Sequence, residues 1–576
     1  MLTYFGIWGL VFTLEGAVFT SCHGKWAGKE ENRNSPAAAG SVMENAAQEK
    51  SLSHYSLLVS PREPRPGEPF RIMATGGREM RKARIAVTGT SGSPEPVGSR
   101  TGEGIPGWRI DEFEGLSEGS YHVTLWSGRK EVNSLELVVA PKGKAASSGY
   151  IWKNLRGWDC NSEALYAAWI NALFQGCDER SSWASLHEIT QNRERNFLFN
   201  HLSLGEDDPE GKNKVVMQPD CADNPFFLRA YFSWKLGLPF GYHVCDRGGL
   251  GHPPKTGQWI TNETTPSNSG TVAAFNSFLR RMMDGVHSGT ARTALNNGNS
   301  DYYPVPLERE NLRPGVVYAD PYGHTLILVH WEPQTRNHPG VLLSVDAQPD
   351  GTVGIKRFWK GNFLFNTTEV VGEPGFKAFR PIRLLNGKPE LMSNEALSAG
   401  TGFTPFSLQQ KMMEPEVFYH TMERLINPKP LDPESALLDL IAALHEQLVV
   451  RITSVGNGEA YFRTHPGAVI PMPANAAGIF LAGGQWENFS TPNRDLRLLI
   501  AMDAVTGFPD RVVSSPGDFS ISKLTSVEQV REKLEKLLEE KGSELSVSYT
   551  RSDGSEQKLT LAEILKRRDA FEVAYN

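Results

Sequence analysis

The chain is poor in cysteine and carries no surplus of positive charge. Five cysteines in 576 residues are too few for a disulfide-built scaffold. Lys and Arg number 59 against 66 Asp and Glu, so the basic excess of a nucleic-acid binder is absent. CxxC, HExxH and Gly-Lys-Ser/Thr patterns are all missing, so no metal and no other cofactor is expected. After residue 21 no stretch approaches the roughly 18 apolar residues that cross a bilayer, which argues against a polytopic membrane protein. What is present is ordinary for a globular chain: 39% apolar residues plus 55 glycines. At about 150 residues per domain, the length suggests three to four domains.

Residues 2–21, LTYFGIWGLVFTLEGAVFTS, are mostly apolar and stop at Cys22. An export signal would begin with a basic residue, yet the first lysine is Lys25, and Glu15 interrupts the run. The run ending in Ser-Cys resembles a bacterial lipoprotein signal, which implies a lipid on Cys22; the other readings are a cleaved signal or a single N-terminal anchor. An exported protein is expected, in the periplasm or at the cell surface. Membrane contact is expected only through that N-terminal lipid or anchor.

The remaining organisation is read from composition and period. Residues 23–52 are rich in Gly, Glu, Asn, Ser and Ala and read as a flexible tether. Residues 53–141 hold short alternating runs at 56–60, 70–74, 83–89, 121–126 and 135–140, which predict an immunoglobulin-like sandwich acting as a spacer or adhesion module. Residues 142–149 are a second tether. Residues 150–400 contain four of the five cysteines and are read as the chemical centre. Residues 401–576 alternate amphipathic helices with a hairpin signal at Arg551-Ser-Asp-Gly554, and are read as a separate α+β module for interaction or substrate positioning.

Within the centre, Phe227, Leu228, Tyr231, Phe232 and Leu236 recur at helical spacing, which predicts a helix over 225–236 with Asn224 as cap, Pro225 at its first position and Gly237 at its end. Cys221 then lies in a turn at the approach to that helix. Amides there favour a thiolate and could hold an oxyanion. A nucleophile needs a base and the base an orienter. His324 opens the strand TLILVHW. Asp346 lies on the next strand, 22 residues on, with Gln348 as a second orienting candidate. Gln218, three residues before Cys221, is a candidate oxyanion donor.

That order resembles the papain-like cysteine-hydrolase superfamily. DCAD at 220–223 with LRPG and GHTLILV within 312–329 is similar to the NlpC-type cell-wall peptidases; KLGLPFGYHVCDRG at 235–248 with VDAQ at 345–348 is similar to the transglutaminase-like core. Both imply an α+β fold with the Cys-bearing helix packed on an antiparallel sheet. Both give Cys221, His324 and Asp346 the roles of nucleophile, base and orienter. The implied activity is amide hydrolysis, with peptidoglycan peptide or protein as substrate. Acyl transfer between proteins and a non-catalytic binding role are the alternatives. The 103 residues between Cys221 and His324 imply an insertion near 250–310, expected to cover the cleft. Cys160, which also follows an aspartate and precedes an apolar helix, competes with Cys221. A Cys160–Cys177 disulfide is improbable across a helix of that length, and pairing of either with Cys245 stays open.

Overall fold

A computed structural model describes residues 55–89, 92–141, 149–248, 252–265, 271–321, 323–335, 338–366, 372–400, 402–471, 492–551 and 553–569. All of them belong to the unit Ser51–Asn576. The expected export segment, Cys22, the 23–52 tether and nearly all of the 142–149 tether lie outside the described residues.

Seven strands build the N-terminal part. Ser56–Ser60, Phe70–Gly76, Gly107–Phe113 and Gly98–Gly102 form one antiparallel sheet, in that spatial order. Arg84–Gly89, Gly119–Ser127 and Lys130–Val139 form the other. Numbered along the chain, the orders are 1-2-5-4 and 3-6-7, those of an immunoglobulin constant-type sandwich. Phe70, Ile72, Phe113, Val123, Leu125 and Leu137 close its core. Two strands escape the sequence pattern, because Gly98–Gly102 (GSRTG) has no apolar residue and Gly107–Phe113 mixes charge into its run.

The sandwich is not a free spacer. Met73, Trp108 and Ile110 lie in the core of the next domain, against the helix Cys160–Leu173. Asn171 of that helix accepts from Trp108 Nε1 at 2.8 Å and donates to the Val329 carbonyl at 2.8 Å. One buried amide thereby pins sandwich, helix and central sheet. Arg71 and Arg100 reach across to the carbonyls of Arg193 and Arg195.

The central sheet has seven antiparallel strands, in the order Tyr302–Pro304, Gly375–Phe379, Val317–Ala319, Thr325–Glu332, Val341–Ala347, Val353–Arg357 and Ser182–Trp183. Its residues alternate between two cores, as a sheet covered on both faces requires. Ile327, Val329, Val345 and Ala347 face the helices Cys160–Leu173 and Asp223–Leu236. Tyr318, Leu326, Leu328 and Phe376 face the helix Pro415–Ile426. That helix therefore packs on the sheet, with Phe418 against Phe376 of the strand Gly375–Phe379, centroids 6.1 Å apart. A further hydrophobic core gathers around the helix Pro433–Thr464. It joins the helices Pro492–Thr506, Phe508–Ser514 and Val527–Glu544 to the expected hairpin, Ser546–Thr550 with Glu556–Thr560. Mixed helices and antiparallel sheets make the chain α+β.

The helix Asp223–Leu236 is wholly buried, its polar residues Asp223, Asn224, Arg229, Ser233 and Lys235 included. Gly237 ends it at φ 64°, a left-handed conformation that glycine takes without penalty. The Arg313-Pro-Gly315 turn is structural. Gly315 sits at φ 93°, and a Cβ there would lie 2.6 Å from the Tyr166 ring.

Candidate active site

Asp220, Cys221 and Ala222 form the turn that enters the Asp223–Leu236 helix. The helix starts two residues earlier than the Pro225 pattern predicts, and Asp220 replaces Asn224 as its cap. Asp220 Oδ1 accepts the Ala222 N–H at 2.8 Å and the Asp223 N–H at 3.1 Å, and the Asp220 carbonyl accepts the Asn224 N–H at 3.1 Å. A carboxylate just ahead of the thiol takes the otherwise orphaned amides. These amides, expected to serve an oxyanion, are committed to Asp220.

The half-buried Cys221 thiol points at the carbonyl of Gly323, at 3.6 Å. The next residue is His324, immediately before the strand Thr325–Glu332. The turn is tight: Gly323 has φ 109°, and the Asp320 N–H donates to the His324 carbonyl at 2.8 Å. His324 Nδ1 lies 3.2 Å from Asp346 Oδ1, and Gln348 Nε2 donates to Asp346 Oδ2 at 2.7 Å. Both carboxylate oxygens of Asp346 are thus engaged, which fixes the imidazole through Nδ1 and leaves Nε2 as its other face. Burial alone would raise the Asp346 carboxyl. The charge and hydrogen bond of His324, with Lys356 and Arg497 behind them, hold it below the usual carboxylate range. The structure therefore brings Cys221 to the residue before His324, and Asp346 with Gln348 to the His324 imidazole. Gln218 is exposed and packs beside Gly351, in the turn that follows the Asp346 strand.

The other thiols sit in different surroundings. None of Cys160, Cys177, Cys221 and Cys245 forms a disulfide. Cys160 opens its helix, yet burial and the acids Asp159 and Glu163 raise its pKa. Burial pushes Cys245 up to about 12. Cys221 instead has a buried cation nearby, which the sequence does not announce. Arg292 closes the short helical turn Ser288–Arg292, and its Nη1 donates to the Pro321 carbonyl at 3.1 Å. Desolvation lowers this guanidinium to about 10, Asp320 and Cys221 pull the other way, and it stays charged at neutral pH. His330 makes a structural contact, its Nδ1 2.9 Å from Asn171 Nδ2.

A groove of about 770 Å³ opens on one side of this turn. His324, Asp346, Gln348 and Lys356 line it from the sheet, and Gln447, Val450 and Arg451 line it from the helix Pro433–Thr464. The 250–310 insertion was expected to cover the cleft, but none of its residues lines this groove. Its helix Thr271–Gly285 instead packs behind the Cys221 helix, Phe275 stacking on Trp234 with centroids 4.2 Å apart. Among the described residues no three His, Cys, Asp or Glu side chains converge as metal ligands would, and no helix is long and apolar enough to cross a membrane.

Asp223 adds a pH dependence. Burial raises its carboxyl to about 9, with the neighbouring Asp220 next in effect. The folded state therefore keeps a proton that the unfolded chain loses near pH 4, and stability falls as pH rises between those values. Asp223→Asn removes this term. Thermal melts from pH 5 to 9 should show a shallower decline for the variant than for the wild type; parallel curves would refute the assignment.

Compared with known proteins, the chain matches no family model, no curated protein and no solved structure.

Proposed function

We propose that the protein is a papain-like cysteine hydrolase acting on amide bonds, with cell-wall peptide as the first substrate to try and an exported location to match. One observation carries this reading: the Cys221 thiol lies 3.6 Å from the carbonyl of Gly323, the residue before His324, whose imidazole is paired with Asp346 and backed by Gln348. A buried structural thiol has no need of an oriented imidazole.

The chemistry follows from the arrangement. His324 takes the Cys221 proton, and the thiolate attacks the amide carbonyl carbon. Arg292 stabilises the thiolate electrostatically. The tetrahedral intermediate collapses as the C–N bond breaks, and the imidazolium returns its proton to the leaving amine. His324 then takes a proton from water, whose oxygen attacks the thioester carbonyl, and Cys221 leaves as the free thiol after reprotonation. With Ala222, Asp223 and Asn224 amides held by Asp220, Gln218 remains the candidate side-chain donor to the oxyanion. The groove lined by His324 and Asp346 is the candidate peptide site; Cys221 lies by the same turn but is not part of the groove wall.

The test is the pH profile of Cys221 alkylation by iodoacetamide, read on the peptide by mass spectrometry. Cys221 should react well below pH 8, where an ordinary thiol is mostly protonated. His324→Ala should return it to ordinary thiol behaviour. An ordinary profile in the wild type, unchanged by His324→Ala, would sink the hydrolase reading.

A further inference from the structure

The C-terminal core reaches the catalytic turn directly. Arg497, on the helix Pro492–Thr506, places Nη2 2.8 Å from Asp320 Oδ2. Asp320 is fully buried, and the same oxygen accepts the Leu364 N–H at 3.3 Å. Its backbone N–H donates to the His324 carbonyl at 2.8 Å. Arg497 Nη1 also donates to the Asn362 carbonyl at 3.1 Å. Arg497 therefore clamps the residue that closes the turn presenting His324.

Arg292 also acts on Asp320, so Arg497→Met removes one of two cations from a buried carboxylate, which still exceeds the small effect of a surface ion pair. Asp320 has 0% exposure and Arg497 has 13% in their side chains. Arg497 also lines the groove together with His324 and Asp346. The titratable groups around the turn come from several elements: Asp220 before the Cys221 helix and Asp223 within it, the latter protonated at neutral pH, Arg292 from the insertion, Asp346 and Lys356 from the sheet, and Arg497 from the C-terminal core.

We propose that Arg497 is a positioning residue of the active site, holding His324 in register through Asp320, so that the C-terminal core is half of the active site and not an appended module. The chemical part of this inference rests on the hydrolase reading; the positional part does not. The inference assigns the core two tasks, a wall of the substrate groove and a brace for the base.

Two measurements on the full chain test it. Hydrogen exchange of the peptide spanning 317–328 should quicken at least tenfold in Arg497→Met and in Asp320→Asn. The double variant should be no faster than either single one, and Arg497→Lys, which keeps the cation, should stay near the wild type. The pH profile of Cys221 alkylation should lose its low-pH reactivity in Arg497→Met and recover most of it in Arg497→Lys. Unchanged exchange in Arg497→Met overturns the proposal. Faster exchange with an unaltered alkylation profile, in a wild type whose Cys221 is activated, also overturns it, because Arg497 would then be merely structural. A wild-type Cys221 that reacts as an ordinary thiol defeats the hydrolase reading instead, and exchange alone then decides the brace.

Discussion

Cys221→Ala, His324→Ala and the double variant should each lose hydrolysis of a susceptible peptide by a similar factor, about 10³-fold or more. Groups that act as one nucleophilic unit do not contribute additively. Without the thiol the base has nothing to activate, and without the base the thiol is mostly protonated at neutral pH. Asp346→Asn should be milder in structure but still severe in rate. It keeps the shape while removing the charge that favours an imidazolium, and its amide can turn an N–H toward His324 Nδ1. Gln348→Ala, which frees only Asp346 Oδ2, should cost far less. The measurement is release of amine from muropeptides or from a synthetic peptide amide, with the four single variants and the double run in parallel. Additive losses for Cys221→Ala and His324→Ala would mean the two side chains do not work together, and the triad assignment would fail. An amine nucleophile competing with water would divert the acyl group without changing this ranking.

Much of that site is legible in the sequence, for local reasons. A helix written by its apolar period, a Gly at its end and a His-led strand are short-range signals, and they locate Cys221 and His324 within a few residues. Asp346 and Gln348 follow from the period of one further strand, since alternate residues share a face. The misses are non-local. Asp220 capped the helix in place of Asn224 because an acid at the turn reaches the amides first, and propensity alone ranks the two alike. Arg292 and Arg497 lie 71 and 276 residues beyond Cys221, on segments whose sequence shows no more than a helical turn and an amphipathic helix. Amphipathicity states that a face is buried and not what buries it. For the same reason the pattern of Pro415–Ile426 does not show that Phe418 and Met422 cover the back of the central sheet. The insertion was assigned to the cleft by position alone. Its apolar residues, Phe275, Phe278 and Met282, send it into the core behind the Cys221 helix.

The largest effect on stability should come from Lys235, near the far end of the helix that follows Cys221. Its Nζ lies 2.5 Å from both Glu206 Oε1 and Asp207 Oδ2, and all three side chains are 0% exposed. Glu206 also accepts the Leu202 and Leu204 amides, at 2.8 and 2.9 Å. Burial would raise it, but Lys235, with the Leu202 and Glu206 amides, holds it below its usual range, so its charge depends on the lysine. Burial pushes Asp207 up despite the same lysine. Lys235→Met leaves acids in a dry interior without their cation, a loss of roughly 3–5 kcal/mol for a broken buried pair. For a domain of this size that lowers the melting temperature by about 10 °C. Arg81–Glu103, a pair more than 60% exposed on both sides, is the contrast and should shift it by no more than a degree or two. Replacing the whole cluster, Lys235→Met with Glu206→Gln and Asp207→Asn, should recover much of the loss, because neutral groups remove the burial cost along with the attraction. A melting temperature for Lys235→Met within experimental error of the wild type would mean that water reaches the cluster. The same variant separates folding from chemistry. The helix spans 14 residues, about 21 Å, and Lys235 sits near its far end, so Cys221 alkylation per folded molecule should keep its wild-type pH profile even as the melting temperature falls.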